Sequence, residues 1–154
     1  MISFFIPIRK NSKRVKNKNT KKIGKYSMGL TELKINQIKK FRKITKHHKA
    51  LKNEKFEFVI SSDDKKVLNF LKKFNWIRSH KRSAAFSSDD SLDKLINLVP
   101  KLCNGDIILW THVTSPFFNE KNYLKLIKIF LKNNKKYKSA FTANLIKKFI
   151  YNII

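Results

Sequence analysis

Cysteine is nearly absent from this chain, with Cys103 the single one in 154 residues. One thiol builds neither a disulfide framework nor a cysteine metal cluster, so Cys103 is expected to be a small buried residue. Glycine is also scarce, at three residues. Turns that need a left-handed backbone must then fall to other residues, and asparagine tolerates that region better than most. Acidic side chains number only 10 against 36 Lys and Arg, a formal net charge of +26. Long hydrophobic runs are missing too. The N-terminus is apolar for only seven residues (2–8) before charge intervenes, too short for a signal peptide, and no stretch approaches a membrane span. The expectation is a cytoplasmic protein without a membrane partner.

What is present is the material of a core. Hydrophobic residues make up 42% of the chain and aromatics 12%, in a length that suits one domain, residues 1–154. The charge would ordinarily put nucleic acid first among partners. Lysine, however, is spread over almost every segment and rises together with Asn, Ile and Phe. That pattern reads as a drift in composition, such as an A+T-rich genome produces, whereas a nucleic-acid face concentrates charge on one stripe. Weak, nonspecific nucleic-acid binding at low salt is the expectation from charge alone.

Apolar runs and helix-period segments alternate. Strands are expected at Ile2–Ile8, Phe56–Ile60, Trp76–Ser79, Asp106–Trp110 and Ser139–Ala143. Helices are expected at Leu30 to about Thr45, Val67–Phe74, Asp90 to about Leu102, where Pro100 should kink or end it, and Glu120–Leu131. Lys132–Lys138 reads as a solvated loop. Alternation of this kind implies βαβ crossovers and a mostly parallel sheet, an α/β fold. Ligands gather at the carboxyl ends of the strands in such sheets. Arg9–Asn19, Ser61–Asp64 and Thr111–Pro116 each follow directly on a strand.

The first of these segments carries the most chemistry. A buried strand that empties into Arg9, Lys10, Ser12, Lys13, Arg14, Lys16 and Lys18 fixes the root of a cationic loop. Backbone N–H groups, the Ser12 hydroxyl and the cations can then converge on a phosphate. No Gly-Lys-Ser/Thr follows a Gly-rich run, so it is not a Walker loop. Asn11 and Asn17 are the residues expected to take the left-handed turns that glycine usually supplies.

Ile6, Pro7, Arg9, Ser12, Lys13, Lys18 and Asn19 follow the signature I-P-x-R-x-x-S-K-x-x-x-x-K-N. The chain thereby resembles the acylneuraminate (CMP-sialic acid) cytidylyltransferase family. Phe58-Val-Ile-Ser-Ser-Asp-Asp64 resembles that family's V-S-T-D-D strand end. Trp110-Thr-His-Val-Thr-Ser-Pro-Phe117 resembles its Q-P-T-S-P-L element, with His112 where many members have Gln. Arg82 followed by Asp89 resembles R-P-x-x-L-A-x-D more loosely, since Ser83 replaces Pro and Phe86-Ser87 replaces Leu-Ala. Leu30–Ile38 resembles the helix that opens after the phosphate loop. The motifs keep the family's order from Ile2 to about Asn152.

The resemblance implies a three-layer, Rossmann-like nucleotide-diphospho-sugar transferase fold. It also implies a reaction in which the anomeric hydroxyl of a 2-keto sugar acid attacks the α-phosphate of CTP and pyrophosphate leaves. By position, Arg9 and Lys13 would be catalytic, binding the triphosphate and stabilising charge on the α-phosphoryl oxygens. Ser12, Lys18, Asn19 and Arg82 would bind the nucleotide, while His112, Thr114 and Ser115 would face the sugar acid. A Mg²⁺ cofactor and a homodimer belong to the family as well. Its metal-binding aspartate pair, its dimerisation arm and part of its sugar site find no match here. The chain therefore reads as about the N-terminal two thirds of one catalytic domain, incomplete at the C-terminal side. A truncated product, a split domain and a degenerate paralogue all remain open, as does a noncatalytic nucleotide- or nucleic-acid-binding protein.

The remaining reactive types are read as structural. Asp63-Asp64 and Asp89-Asp90 suit helix caps better than metal ligands. His47-His48 should be solvated, His80 should have a lowered pKa if it lies near Lys81 and Arg82, and Trp76 and Trp110 should be core.

Overall fold

The computed structural model describes residues 1–10, 12, 15–83 and 92–143. Four strands, β1 (Ile2–Ile8), β2 (Phe56–Ser62), β3 (Arg78–Lys81) and β4 (Ile107–Trp110), form one sheet in the order β3-β2-β1-β4. Every pairing is parallel. Helices α1 (Gly29–His47), α2 (Lys65–Leu71), α3 (Leu92–Leu102) and α4 (Glu120–Asn133) connect and follow the strands. A short 3₁₀ turn, Lys49–Leu51, precedes β2.

The period-2 geometry of β1 divides its side chains between two cores. Ile2, Phe4, Ile6 and Ile8 pack with Ile35, Ile38 and Phe41 of α1, Val67 and Leu71 of α2, and Tyr123 and Ile127 of α4. Phe5 and Val59 point the other way, onto Leu95, Val99 and Cys103 at α3. The result is three layers, helix–sheet–helix. Phe4 lies at the centre, fully buried, with the rings of Phe41, Phe58 and Tyr123 about 5 Å away. Because β1 is covered on both faces, its sequence is a continuous apolar run rather than an alternation.

Most expected elements stand within a few residues of their expected bounds. The helix after β2 begins at Lys65 rather than Val67 and stops at Leu71. Asp64 caps it, its carboxylate accepting the Lys66 N–H at 2.8 Å. The third strand lies at Arg78–Lys81, two residues later than expected, because Ile77 is drawn into the core as the last buried residue before it. Pro100 does not itself end α3, which runs on two residues further to Leu102. A proline this close to the helix end removes only one hydrogen bond of the last turns. Ser139–Ala143 is not a strand. Strand propensity needs a ladder to act on, and among the described residues β4 pairs with β1 alone. Ile108 is 36% exposed because β4 is an edge strand and α3 does not reach over it. Cys103 is buried, as expected.

Candidate functional site

In this strand order the chain leaves β1 towards β2 and β3, then returns to place β4 on the other side of β1. The strand order reverses between β1 and β4, which run parallel, and the crevice beyond the carboxyl ends at such a reversal is where open α/β sheets bind ligands. The loop after β1 and the turn after β4 flank that point.

Arg9 and Lys10 are exposed immediately beyond β1. The loop that follows is held by backbone turns, with Lys18 N–H donating to Val15 O and both Thr20 and Lys21 N–H donating to Asn17 O. Asn17 has φ 56°, the left-handed turn expected of it in place of glycine. Asn11, Lys13 and Arg14 lie outside the described residues. Ser12 and Lys18 are half-buried. Asn19 is buried and ties the loop to itself, its Nδ2 donating to Arg9 O at 3.0 Å. Its own carbonyl accepts the Thr31 hydroxyl at 2.8 Å and the Thr31 N–H at 3.0 Å, which anchors the loop to the first turn of α1. Asn19 Oδ1 is buried and has no hydrogen-bond partner.

Arg82 lies just past β3, its side chain 3% exposed. Its backbone N–H donates to Ser62 O at 2.8 Å. One guanidinium nitrogen meets Asp63 Oδ1 at 3.3 Å, while Nε is buried without a partner. Asp63 also accepts the Lys10 N–H at 2.9 Å. Thus Asp63 is not a helix cap, although its neighbour Asp64 is. It braces the root of the cationic loop and the end of β3 together. Asn19 and Arg82, placed in the nucleotide site by resemblance, each retain a buried, unsatisfied polar atom, as does Gln37 at its Oε1 among the described residues. Such atoms are uncommon in folded proteins and call for an occupant or an explanation.

After β4, the turn from Thr111 to Phe118 is closed by Ser115 N–H to His112 O and Phe118 N–H to Ser115 O. His112, Thr114 and Ser115 are exposed. The His112 ring lies 6.3 Å from that of Trp110, and partial desolvation lowers its pKa, so it is neutral near pH 7. Val113 is buried and pins the turn to the core.

Lys34 is given a role by none of the sequence motifs. It is 1% exposed on α1, and its ammonium donates to Ser115 O at 3.0 Å, Phe118 O at 2.9 Å and Tyr123 Oη at 3.0 Å. Burial lowers its pKa to about 8. Gln37, one turn on, donates to Pro116 O at 2.6 Å. The signal was there, since both polar residues interrupt the apolar face of Leu30, Ile35, Ile38 and Phe41. One lysine among so many carries little weight when read alone.

His80 bonds Ser61 at 3.0 Å, and its pKa is lowered by desolvation first and then by Arg82 and Arg78. His47 is solvated as expected, whereas His48 is half-buried and its Nδ1 accepts the Ala50 N–H. Among the described residues no group of three or more His, Cys, Asp or Glu converges to hold a metal. With Asp63 bound to Arg82 and Lys10, and Asp64 spent as a cap, these acids do not fit a protein-held Mg²⁺. Asp89 lies outside the described residues.

An all-parallel sheet with this strand order, helices on both faces and loops gathered at its point of reversal is a three-layer α/β domain of the doubly wound type. A family model described as cytidylyltransferase matches residues 3–149, and the chain belongs to that family. Among solved structures, one described as CMP:2-keto-3-deoxy-manno-octonic acid synthetase complexed with CTP shares the fold. It has a TM-score of 0.57 at 15% identity, covering 86% of this chain and 48% of that one. The chain thus spans about half the length of that structure. A search of curated proteins found no match. No helix among the described residues is long and apolar enough to cross a membrane.

Proposed function

We propose that this chain binds CTP at the carboxyl edge of its sheet and contributes to the transfer of CMP to a 2-keto sugar acid of the sialic-acid type. The new bond joins the sugar's anomeric oxygen to the α-phosphorus. The bond from that phosphorus to the bridging oxygen breaks, pyrophosphate leaves with the electron pair, and the hydroxyl proton is released. Such a transfer is mostly positioning and charge stabilisation. The triphosphate carries about four negative charges, and Arg9, Lys13 and Lys18 meet them on a loop whose root is fixed by Asn19 and Asp63. Asn19 and Arg82 take the nucleotide, and His112, Thr114 and Ser115 take the sugar acid from the opposite side of the sheet's reversal.

The observation that carries this reading is that two of the three buried, unpartnered side-chain atoms among the described residues, Asn19 Oδ1 and Arg82 Nε, lie on the loops after β1 and β3, the third being Gln37 Oε1 on α1. A nucleotide supplies both donors and acceptors to such atoms. The test is calorimetric titration of the four NTPs in the presence of Mg²⁺, with wild type and Arg9→Ala, followed by pyrophosphate release with a panel of 2-keto sugar acids. CTP should bind at least fivefold tighter than ATP, and Arg9→Ala should weaken it about tenfold, one charge-assisted contact. Equal binding of all four NTPs, insensitive to Arg9→Ala and collapsing steeply with salt, would refute the site and leave charge-only binding. CTP preference without turnover would assign a noncatalytic nucleotide-binding role.

A further inference from the structure

The two loops at the sheet's reversal are held by one face of one helix. Thr31 and Lys34 are three residues apart on α1 and therefore neighbours on its surface. Thr31 fixes Asn19, whose side chain fixes Arg9 in turn. Lys34 gathers the far turn through the carbonyls of Ser115 and Phe118, and Gln37 adds the carbonyl of Pro116. The third Lys34 donor goes to Tyr123 Oη, which also meets Thr111 Oγ1 at 2.6 Å. A single ammonium thus ties both ends of the Thr111–Phe118 turn to the helix that anchors the cationic loop.

The contacts of this lysine are all neutral dipoles: two carbonyls, a phenol, and the face of the Tyr123 ring 5.3 Å away. A buried charge without a carboxylate is a poor device for stability, because desolvation is only partly repaid. It is a good device for geometry. An ammonium offers three diverging donors, here spent on three acceptors from the turn and α4.

We propose that Lys34 is a positioning residue that sets the Thr111–Phe118 turn, with His112, Thr114 and Ser115, at a fixed spacing from the cationic loop after β1. It acts through α1 and touches neither substrate. Resting on the proposed function, this means that Lys34 governs where the sugar acid sits relative to the α-phosphate and leaves CTP affinity alone.

Lys34→Met keeps the length of the side chain and removes its donors, and Tyr123→Phe removes one acceptor at nearly constant shape. Both are made in the full chain and read first by native-state hydrogen exchange. The amides of Ser115 and Phe118 should exchange at least tenfold faster in Lys34→Met and to a lesser degree in Tyr123→Phe. Phe4, Ile6 and Val59 should exchange within threefold of wild type. The second readout is kinetic: the KM for the sugar acid should rise at least tenfold while the dissociation constant of CTP stays within twofold. If Lys34→Met does not fold, the same exchange pattern in Tyr123→Phe decides. Unchanged protection of Ser115 and Phe118 in a folded variant overturns the inference. A loosened turn with an unchanged KM overturns the positioning role as well. If the wild-type chain fails to bind CTP, the proposed function falls and the exchange result alone judges Lys34.

Discussion

Exchanging Asp63 for asparagine removes one charge while keeping the shape and one acceptor for the Lys10 N–H. The partner charge that remains is Arg82, whose side chain is 3% exposed against 16% for Asp63. At 3.3 Å the gross attraction is about 5 kcal/mol for an effective dielectric near 20. Part of that only offsets the cost of bringing both ions out of water. Losing one member of a buried pair is the more damaging change, because the other is left uncompensated, typically at ~3–5 kcal/mol. Asp63 keeps some contact with solvent, and its asparagine replacement can still accept from Arg82. We therefore expect Asp63→Asn to lower stability by about 2–3 kcal/mol, a fall of about 1 M or more in the urea midpoint for a slope near 2 kcal/mol/M. Urea unfolding at pH 7, followed by circular dichroism, measures it. Removing both ions together, as Asp63→Asn with Arg82→Met, should recover more than half of the loss, since no unpaired charge remains. A single substitution that shifts stability by less than about 0.5 kcal/mol, within the range of ordinary surface changes, would show that the pair is not the brace described.

Stability should depend on pH through Lys34, whose folded pKa of about 8 lies below its ordinary 10.5. Below pH 8 both states are protonated and the full cost of burying the charge is present, whereas between 8 and 10.5 the unfolded chain binds the extra proton and stability rises with pH. Relative to Lys34→Met, wild type should gain roughly 3 kcal/mol across that window. Tyr123, in contact with it, stays neutral until about 12, so a pH-independent difference between the two proteins would contradict the burial argument. Gly29→Ala should cost about 3 kcal/mol in the same urea assay. Gly29 has φ 54°, a left-handed backbone worth ~1–2 kcal/mol to any other residue. An added Cβ would also collide with the Lys21 carbonyl oxygen. A loss below about 1 kcal/mol would mean that the loop between Asn19 and α1 yields easily.

Much of the fold was written in local pattern. Ile2–Ile8 is a strand because a seven-residue apolar run flanked by charge has few other uses in a parallel sheet. The periodic faces of α1 and α4 were equally legible, as were the loops after β1 and β4 and the left-handed turn at Asn17. Each of these rests on spacing along the chain, which sequence displays directly.

What only the tertiary structure decided depends on partners distant in sequence. Ser139–Ala143 has the composition of a strand but no ladder, and pairing is a property of two segments. Asp63 and Asp64 look alike in sequence, yet one caps α2 while the other joins Lys10 to Arg82, 19 residues further on. Lys34 was one cation among 36 Lys and Arg until its three acceptors came within reach, the nearest of them 81 residues away. Residue type and period fix which elements form; burial and long-range hydrogen bonds decide which of many similar side chains hold the site.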